Sequence, residues 1–478
     1  MPDESKPKSI AAQIVDLVLQ AVDADTMDLW ISQDETPYLS WWKINHYEHF
    51  SLNSEKTKQH LGSYFHEKSG EMASGSALAD AITILSGYAR KRKTYPIFLR
   101  VGKDQDAIYI DIGDASWQSV VITPTGWQII DNAPIKFRRP KGMLPLPRPI
   151  KGGSIEALRP LLNTDADSWI LIKAWLLSLL MPVGPYPLLI FNGEQGTAKS
   201  YNQKVLKAIL DPSILPIRRP PKTQEDLMIA ANNSWITSFD NLSKIGCDLS
   251  DDLCNISTGG GISKRALYSD TDETIIQVCR PIMLNGITDF VTRPDLLDRS
   301  IIVTLPRIDD KHRQAEDILL ARFKELHPSI LGALLDMAVI AMRESPSVRL
   351  EKPGRMAGFL AWAVAGLQDS TFLNLHASAR TEAAASALEG DPLITQLKIF
   401  AQALKEPWIG SATELLQALN DQANYGKYPP KGWPTIPSKL SNALRRLAPV
   451  LRTDVIIEKT NNDPITKVSR WRIQNMKG

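Results

Sequence analysis

Residues 187–200, PLLIFNGEQGTAKS, set the frame for the whole chain. A short apolar run, the mark of a buried strand, feeds a glycine-containing turn, and Lys199 and Ser200 then open a helix. This is the strand, loop and helix context of a P-loop. Successive backbone N–H groups and the positive end of the helix cradle phosphates, so residues 193–200 (Gly193, Glu194, Gln195, Gly196, Thr197, Ala198, Lys199 and Ser200) are the expected nucleotide-binding loop. Lys199 would reach the β- and γ-phosphates of ATP, and the Ser200 hydroxyl would hold Mg²⁺. The pattern departs once, with Ala198 where glycine usually precedes the lysine. The alternative is a turn that binds nothing.

Outward from the loop, residues 155–306 alternate helices and apolar strands as an α/β nucleotide-binding domain does. WITSFDN ends a strand on Asp240, forty residues after Ser200, where a carboxylate would help coordinate Mg²⁺. The next residue is Asn241 rather than the glutamate that usually orients the attacking water, so binding is expected more firmly than fast hydrolysis. Glu225 or Asp226 could supply that carboxylate, or simply begin a helix. PIMLNGI carries Asn285 at a strand end, as a γ-phosphate sensor or a turn residue. TRPDLLDRS presents Arg299 just before a strand, where a guanidinium can reach a neighbouring subunit's γ-phosphate; Arg293 competes, and a surface ion pair is the plain alternative for either.

The 478 residues predict two to four domains. Forty-three per cent hydrophobic and 23 % charged residues, with 32 Pro and 27 Gly, exclude a fibrous or disordered chain. A net charge of +2 gives no argument for a nucleic-acid or membrane partner, which must come from local patches. Three cysteines without CxxC spacing, a polar start and no apolar run near 20 residues lead to the expectation of a reduced, cytoplasmic protein with no membrane partner and buried thiols.

The expected organisation is a mostly helical domain over 1–95, a small β unit with a Pro-rich connector over 96–150, the ATPase core over 151–308, a helical lid over 309–375, a linker over 376–395 and a winged helix over 396–478. The last segment is basic, with ten Lys/Arg against three acids from residue 431 on. A helix carrying Lys439, Arg445 and Arg446, followed by a wing with Lys467 and Arg470, fits phosphate contacts to a duplex, or else protein contacts. The short runs Arg90–Lys93 and Arg138–Lys141 read as solvated faces or further phosphate contacts.

The order GEQGTAKS, SFDN, STGGGISKRALYSDTDE, PIMLNGI and RPDLLDRS resembles the AAA+ ATPases of phages and mobile genetic elements, related to superfamily-three and minichromosome-maintenance replicative helicases. The likeness covers roughly 155–345, and more loosely the preceding β unit and the C-terminal segment. It implies a ring, often a hexamer, with ATP between subunits: Lys199, Ser200 and Asp240 on one side, Asn285 as sensor and Arg299 donated in trans. It also implies a β-hairpin in the channel, matching residues 259–280, whose single-stranded DNA contact would fall on Lys264 and Arg265 rather than the acidic SDTDE. The expected function is therefore an ATP-driven DNA translocase or helicase of a mobile element. The alternative is a non-translocating DNA-binding ATP switch, such as an initiator, regulator or defence ATPase. A P-loop small-molecule kinase is a third class, disfavoured by Arg299 and the basic C-terminal segment.

Overall fold

A computed structural model of the protein describes residues 8–265, 273–287, 290–309, 311, 313–351, 354–389, 392–426, 429–430, 433–448, 451–452, 454–460 and 469–476. Within these, the side chains of 262–265, 273–276, 387–389 and 446 are not described. The chain divides between Arg380 and Thr381 into two compact units.

The first unit begins with α1 (Ile10–Asp23), capped by the Ser9 hydroxyl, which accepts from the Ala12 N–H. Then come β1 (Met27–Ser32), β2 (Pro37–Trp42), β3 (Tyr47–Ser51), α2 (Glu55–Ser69), α3 (Gly75–Arg90) and β4 (Thr94–Tyr95), the strands forming a sheet in the order β3-β2-β1-β4. The mostly helical reading of 1–95 is thus corrected to a layered α/β arrangement. Its strands lack clean alternation because both faces are covered. Leu29 and Leu39 pack on the helices, while Trp30 stacks on Tyr38 at 4.5 Å and lies 4.7 Å from the Lys136 ammonium.

The next β unit comprises β5 (Ile97–Phe98), β6 (Val101–Asp104), β7 (Ala107–Asp111), β8 (Ser119–Thr123), β9 (Gly126–Ile130) and β10 (Lys136–Phe137); β6 to β9 form an antiparallel meander. Between β5 and β6, Arg100 is fully buried and donates to the carbonyls of Asp111, Ile112 and Leu144 at 3.0, 3.2 and 2.6 Å, so the connector is held to the meander.

The central region contains α4 (Ala166–Ser178), β11 (Leu188–Asn192), α5 (Lys199–Leu210), α6 (Gln224–Asn232), β12 (Thr237–Leu242), α7 (Cys247–Thr258), β13 (Gly261–Arg265), β14 (Glu273–Gln277), β15 (Ile282–Gly286), α8 (Pro294–Leu297) and β16 (Ser300–Thr304). Its sheet is parallel in the order β12-β15-β11-β16, and β13 pairs with β14 as an antiparallel hairpin. The run LLIF is buried because β11 is a central strand covered on both faces. Two further helices, α9 (Glu316–Glu344) and α10 (Ala357–Leu367), follow, then α11 (Thr371–Glu389), which crosses the boundary between the units.

One hydrophobic core runs from Ile108 of the meander through Trp175 of α4, Phe191 of β11 and Leu206 of α5 to Leu334 of α9 and Phe359 of α10. The expected boundaries at 150/151 and 308/309 are therefore not breaks in packing. Close approach builds this in: a Cβ at Gly332 of α9 would sit 1.9 Å from the Ile150 carbonyl, and the Trp127 indole donates to Asp336 at 2.7 Å. Among the described residues one helix, Glu316–Ser347, is long and apolar enough to cross a membrane, and half of its apolar window is buried in the fold. Of the cysteines expected to be buried, Cys254 is, whereas Cys247 is exposed and Cys279 half-buried.

Two buried histidines make this unit acid-sensitive. His327 on α9 hydrogen-bonds the Ile209 carbonyl at 3.0 Å and stacks on Phe323, and burial holds its pKa down at about 4. Burial does the same to His376, also to about 4. Both are neutral in the fold but protonate near pH 6.5 once unfolded. Their stabilisation is complete above that pH and is lost as pH falls toward 4, at about 1.4 kcal/mol per pH unit for each. Urea titrations from pH 7 to 4.5 should show this loss in the first unit. His327→Gln, which keeps a donor but does not titrate, should remove only its own share of the slope, about 1.4 kcal/mol per pH unit, and leave those of His376 and of His49, whose pKa burial also lowers; an unchanged slope would exclude His327.

The second unit contains α12 (Pro392–Ala403), β17 (Trp408–Ser411), α13 (Ala412–Ala423), α14 (Pro437–Leu447), β18 (Val455–Thr460) and β19 (Arg470–Asn475). The strands form an antiparallel sheet in the order β17-β19-β18 over a core of Leu397, Leu415, Leu440, Trp471 and Ile473. The linker expected over 376–395 is corrected: most of it is helix, in α11 and the start of α12. Alanine, read there as linker composition, is the strongest helix former.

Candidate functional site

The four parallel strands end at one edge, and the loops leaving β11, β12, β15 and β16 surround a cleft of ≈1000 Å³. Ligands of open α/β sheets bind at this carboxyl edge. Residues 195–200 form one wall, with Asp240, Asn241 and Asn285 beside them. These are residues that the sequence had singled out, and the fold brings them together.

The loop is built by three left-handed residues: Gly193 at φ 150°, Gly196 at φ 84° and Ala198 at φ 60°. A Cβ on Gly193 would come within 2.9 Å of Thr197 Oγ1 and 3.2 Å of the Leu305 carbonyl, so that position has no room for a side chain. Ala198 adopts a left-handed conformation that glycine would take without strain, at a cost on the order of 1 kcal/mol.

Lys199 donates to the Gly193 and Glu194 carbonyls at 2.7 and 2.6 Å, lying across the mouth of the loop. Burial lowers its pKa and Asp240 opposes that shift. The Ser200 hydroxyl donates to Asp240 Oδ1 at 2.9 Å, so the two expected Mg²⁺ ligands meet. A hydroxyl and a carboxylate suit an ion that keeps several waters and takes its other ligands from phosphates.

Asn285 is buried and committed to its neighbours. Its Oδ1 accepts from the Asn241 N–H at 2.8 Å, and its amide donates to Gln203 Oε1 at 2.6 Å. Gln203 in turn donates to the Phe239 carbonyl at 3.2 Å. This relay fixes Asn241 in a left-handed conformation, φ 61°, where β12 and β15 shift register. Glu225 and Asp226 begin α6 behind the Thr223 cap, and neither lines the cleft. Among the described lining residues the carboxylates besides Asp240 are Asp309 and Glu316, the latter paired with Lys204 at 2.8 Å.

Three participants were missed by sequence reading. Asn163 donates to the Thr197 and Pro306 carbonyls at 3.0 and 2.7 Å, stapling the loop to the segment after β16. Gln203 completes the relay just described. Arg313 lines the cleft, its Nη2 3.2 Å from where a Cβ on Gly196 would stand. Position i+4 from Lys199 was a usable signal for Gln203; Asn163 and Arg313 carried none.

Arg299 is not brought into this cleft. It precedes β16 at the opposite, amino edge of the sheet, where its carbonyl accepts from the Leu188 N–H, a strand length of roughly 16 Å from the loop. Its guanidinium is largely buried against Asp295 at 2.7 Å. Arg293 pairs with Asp251 at 2.8 Å. Of the expected DNA contacts, Lys439 and Arg445 are exposed on α14, and Arg470 is half-buried on β19. Lys467 and the side chains of Lys264, Arg265 and Arg446 lie outside the described residues; the backbone of 261–265 is the strand β13.

Residues 155–388 match the family model described as the actinomycete integrative conjugative element replication protein, and residues 394–477 match the model of the AICE RepA C-terminal domain. No curated protein matches the chain. Among solved structures, the A form apo structure of the NrS-1 C terminal region is similar with a TM-score of 0.42 and 12% identity, covering 99% of this chain and 100% of that one. The apo structure of NrS-1 residues 305–718 gives a TM-score of 0.42 and 14% identity, covering 93% of this chain and 90% of that one.

Proposed function

We propose that this chain, which belongs to the replication proteins of actinomycete integrative conjugative elements, is an ATP-driven DNA motor, a P-loop ATPase of the AAA+ type working as a ring in the cytoplasm. The observation that carries the reading is the convergence of the Lys199 loop, the Ser200–Asp240 pair and Asn285 at the carboxyl edge of a parallel sheet. The strand order supports it, because β15 separates the strand bearing the loop from the strand bearing Asp240.

In this reading the backbone N–H groups of 195–200 bind the triphosphate, and Lys199 turns from the loop carbonyls to the β- and γ-phosphates. Ser200 and Asp240 would hold Mg²⁺, which when bound neutralises charge on the transferring phosphoryl group. Asn285, through the Asn241 main chain, fixes the side of the cleft where a water must lie for in-line attack. Arg299, too far to serve its own loop, would complete the site of an adjoining copy.

A specific observation favours slow turnover as a second reading. Beside Asp240 stands Asn241, which cannot act as a base, so nucleotide state alone could govern assembly on DNA. The discriminating measurement is ATP turnover with and without single-stranded DNA, with mass in solution under a non-hydrolysable analogue and unwinding of a forked duplex. The motor predicts DNA-stimulated turnover, an ATP-dependent ring and strand separation. Assembly without stimulated turnover or unwinding would sink the motor and leave the switch.

A further inference from the structure

Two Arg-Arg-Pro segments, KFRRPKG (136–142) and IRRPPKT (217–223), come together along one seam of the first unit. The main chains on either side are tied: Ile214 N donates to Gly142 O at 2.9 Å, and Leu144 N to Pro212 O at 3.0 Å. Between them lies a second cleft, ≈300 Å³, lined in part by Lys141, Arg218, Ser213, Asn233 and Ser234.

Part of the basic character is consumed internally. Arg139 makes a two-pronged pair with Asp111 at 2.9 and 2.6 Å, Arg138 holds the Asn232 side chain at 2.7 Å, and Lys136 pairs with Asp28 at 3.4 Å. The one acid in the cleft, Asp211, is taken by Lys207 at 2.5 Å and Arg100 at 3.8 Å. What remains is Lys141, Arg218, Arg219 and Lys222, none of whose side chains makes a hydrogen bond or ion pair with a described residue; Lys141, Arg219 and Lys222 are exposed. Lys141 and Arg218 line the cleft and Arg219 and Lys222 follow directly in the chain; cations without protein partners make a surface for a polyanion. The rim offers the exposed aliphatics Ile214 and Leu215 but no aromatic ring, so bases would find no stacking platform.

We propose that this seam binds the phosphodiester backbone of DNA, as a contact separate from the β13–β14 hairpin and from the second unit. The inference rests on the reading of the chain as a DNA-dependent ATPase and adds a route by which DNA bears on the nucleotide site. Arg218 N donates to Ser238 O at 2.9 Å, and Asp240 N donates to Arg218 O at 2.9 Å. The segment that meets the backbone thus hydrogen-bonds directly to the residue that receives the Ser200 hydroxyl.

The test is DNA affinity of the full chain across a salt series from about 50 to 300 mM, with single-stranded and duplex probes in separate arms. The triple variant Lys141→Ala, Arg219→Ala and Lys222→Ala should bind about tenfold or more weakly, and its log K against log salt should flatten by about two to three, as each lost phosphate contact removes 0.7 to 0.9. The charge-preserving Lys141→Arg, Arg219→Lys and Lys222→Arg should keep both, with an unchanged melting midpoint in all variants. The arm that loses affinity identifies the DNA form the seam takes. Wild-type affinity and slope in the triple variant, while Lys439→Ala with Arg445→Ala weakens binding, would overturn the seam and leave the DNA reading standing. A wild-type chain that binds neither probe would overturn both.

Discussion

Lys199→Ala should lower ATP turnover by on the order of a hundredfold or more while leaving the fold in place. The ammonium would supply one preorganised positive donor to the charge that develops on the phosphates, and removal of a single such donor costs roughly 10²–10³ in rate. The loop should survive because its shape is set by the backbone at Gly193, Gly196 and Ala198, and the carbonyls that Lys199 now satisfies can turn to water. Two readings check this together. The wild type should melt higher as ATP and Mg²⁺ are added, and the variant should lose most of that increment while its ligand-free midpoint moves by no more than about two degrees. Turnover within about threefold of wild type would remove the cleft from consideration as the hydrolytic site.

The larger effect is expected from Arg299→Ala, on the order of a thousandfold in turnover with nucleotide binding retained. The geometry makes this a statement about assembly. Arg299 stands at the amino edge of the sheet and cannot reach its own loop at the carboxyl edge. Removing it should not unfold the region, since Asp295 keeps Arg355 as a partner. Mixing settles the direction of donation: Arg299→Ala subunits have an intact loop, and Lys199→Ala subunits have an intact arginine. Together they should recover part of the activity that each lacks alone. Failure to recover it, or an equal loss from Arg293→Ala, would remove Arg299 from the role.

The chemistry that was legible in the sequence was local chemistry. A short apolar run into Gly193, then Lys199 and Ser200, and Asp240 and Asn285 at strand ends, are features read within a few residues, and the structure brings Lys199, Ser200, Asp240 and Asn285 to one cleft. Asn163 and Arg313 were illegible because their contacts span long sequence separations: Asn163 reaches Pro306, 143 residues away. Gln203 could be placed one turn after Lys199 from spacing alone, but its part in the relay shows only once α5 is laid against the sheet and buries it. The strands over 27–51 escaped notice for a related reason. Residues such as Trp30, Tyr38 and Leu39 are buried on opposite faces, so the alternation that betrays a half-exposed strand is absent.

The single core shared by the meander, the parallel sheet and α9 has a consequence for how the chain comes apart. Amide-hydrogen exchange should show residues 101–372 opening as one class, without the breaks at 150/151 and 308/309 that the sequence suggested, and residues 392–476 as another. Amides of β7 and β8 should open together with those of β11, because neither sheet can shed its partner without wetting the same apolar surface. For the same reason a fragment cut at residue 150 would carry half of an interior on its outside, whereas residues 392–476 bring their own.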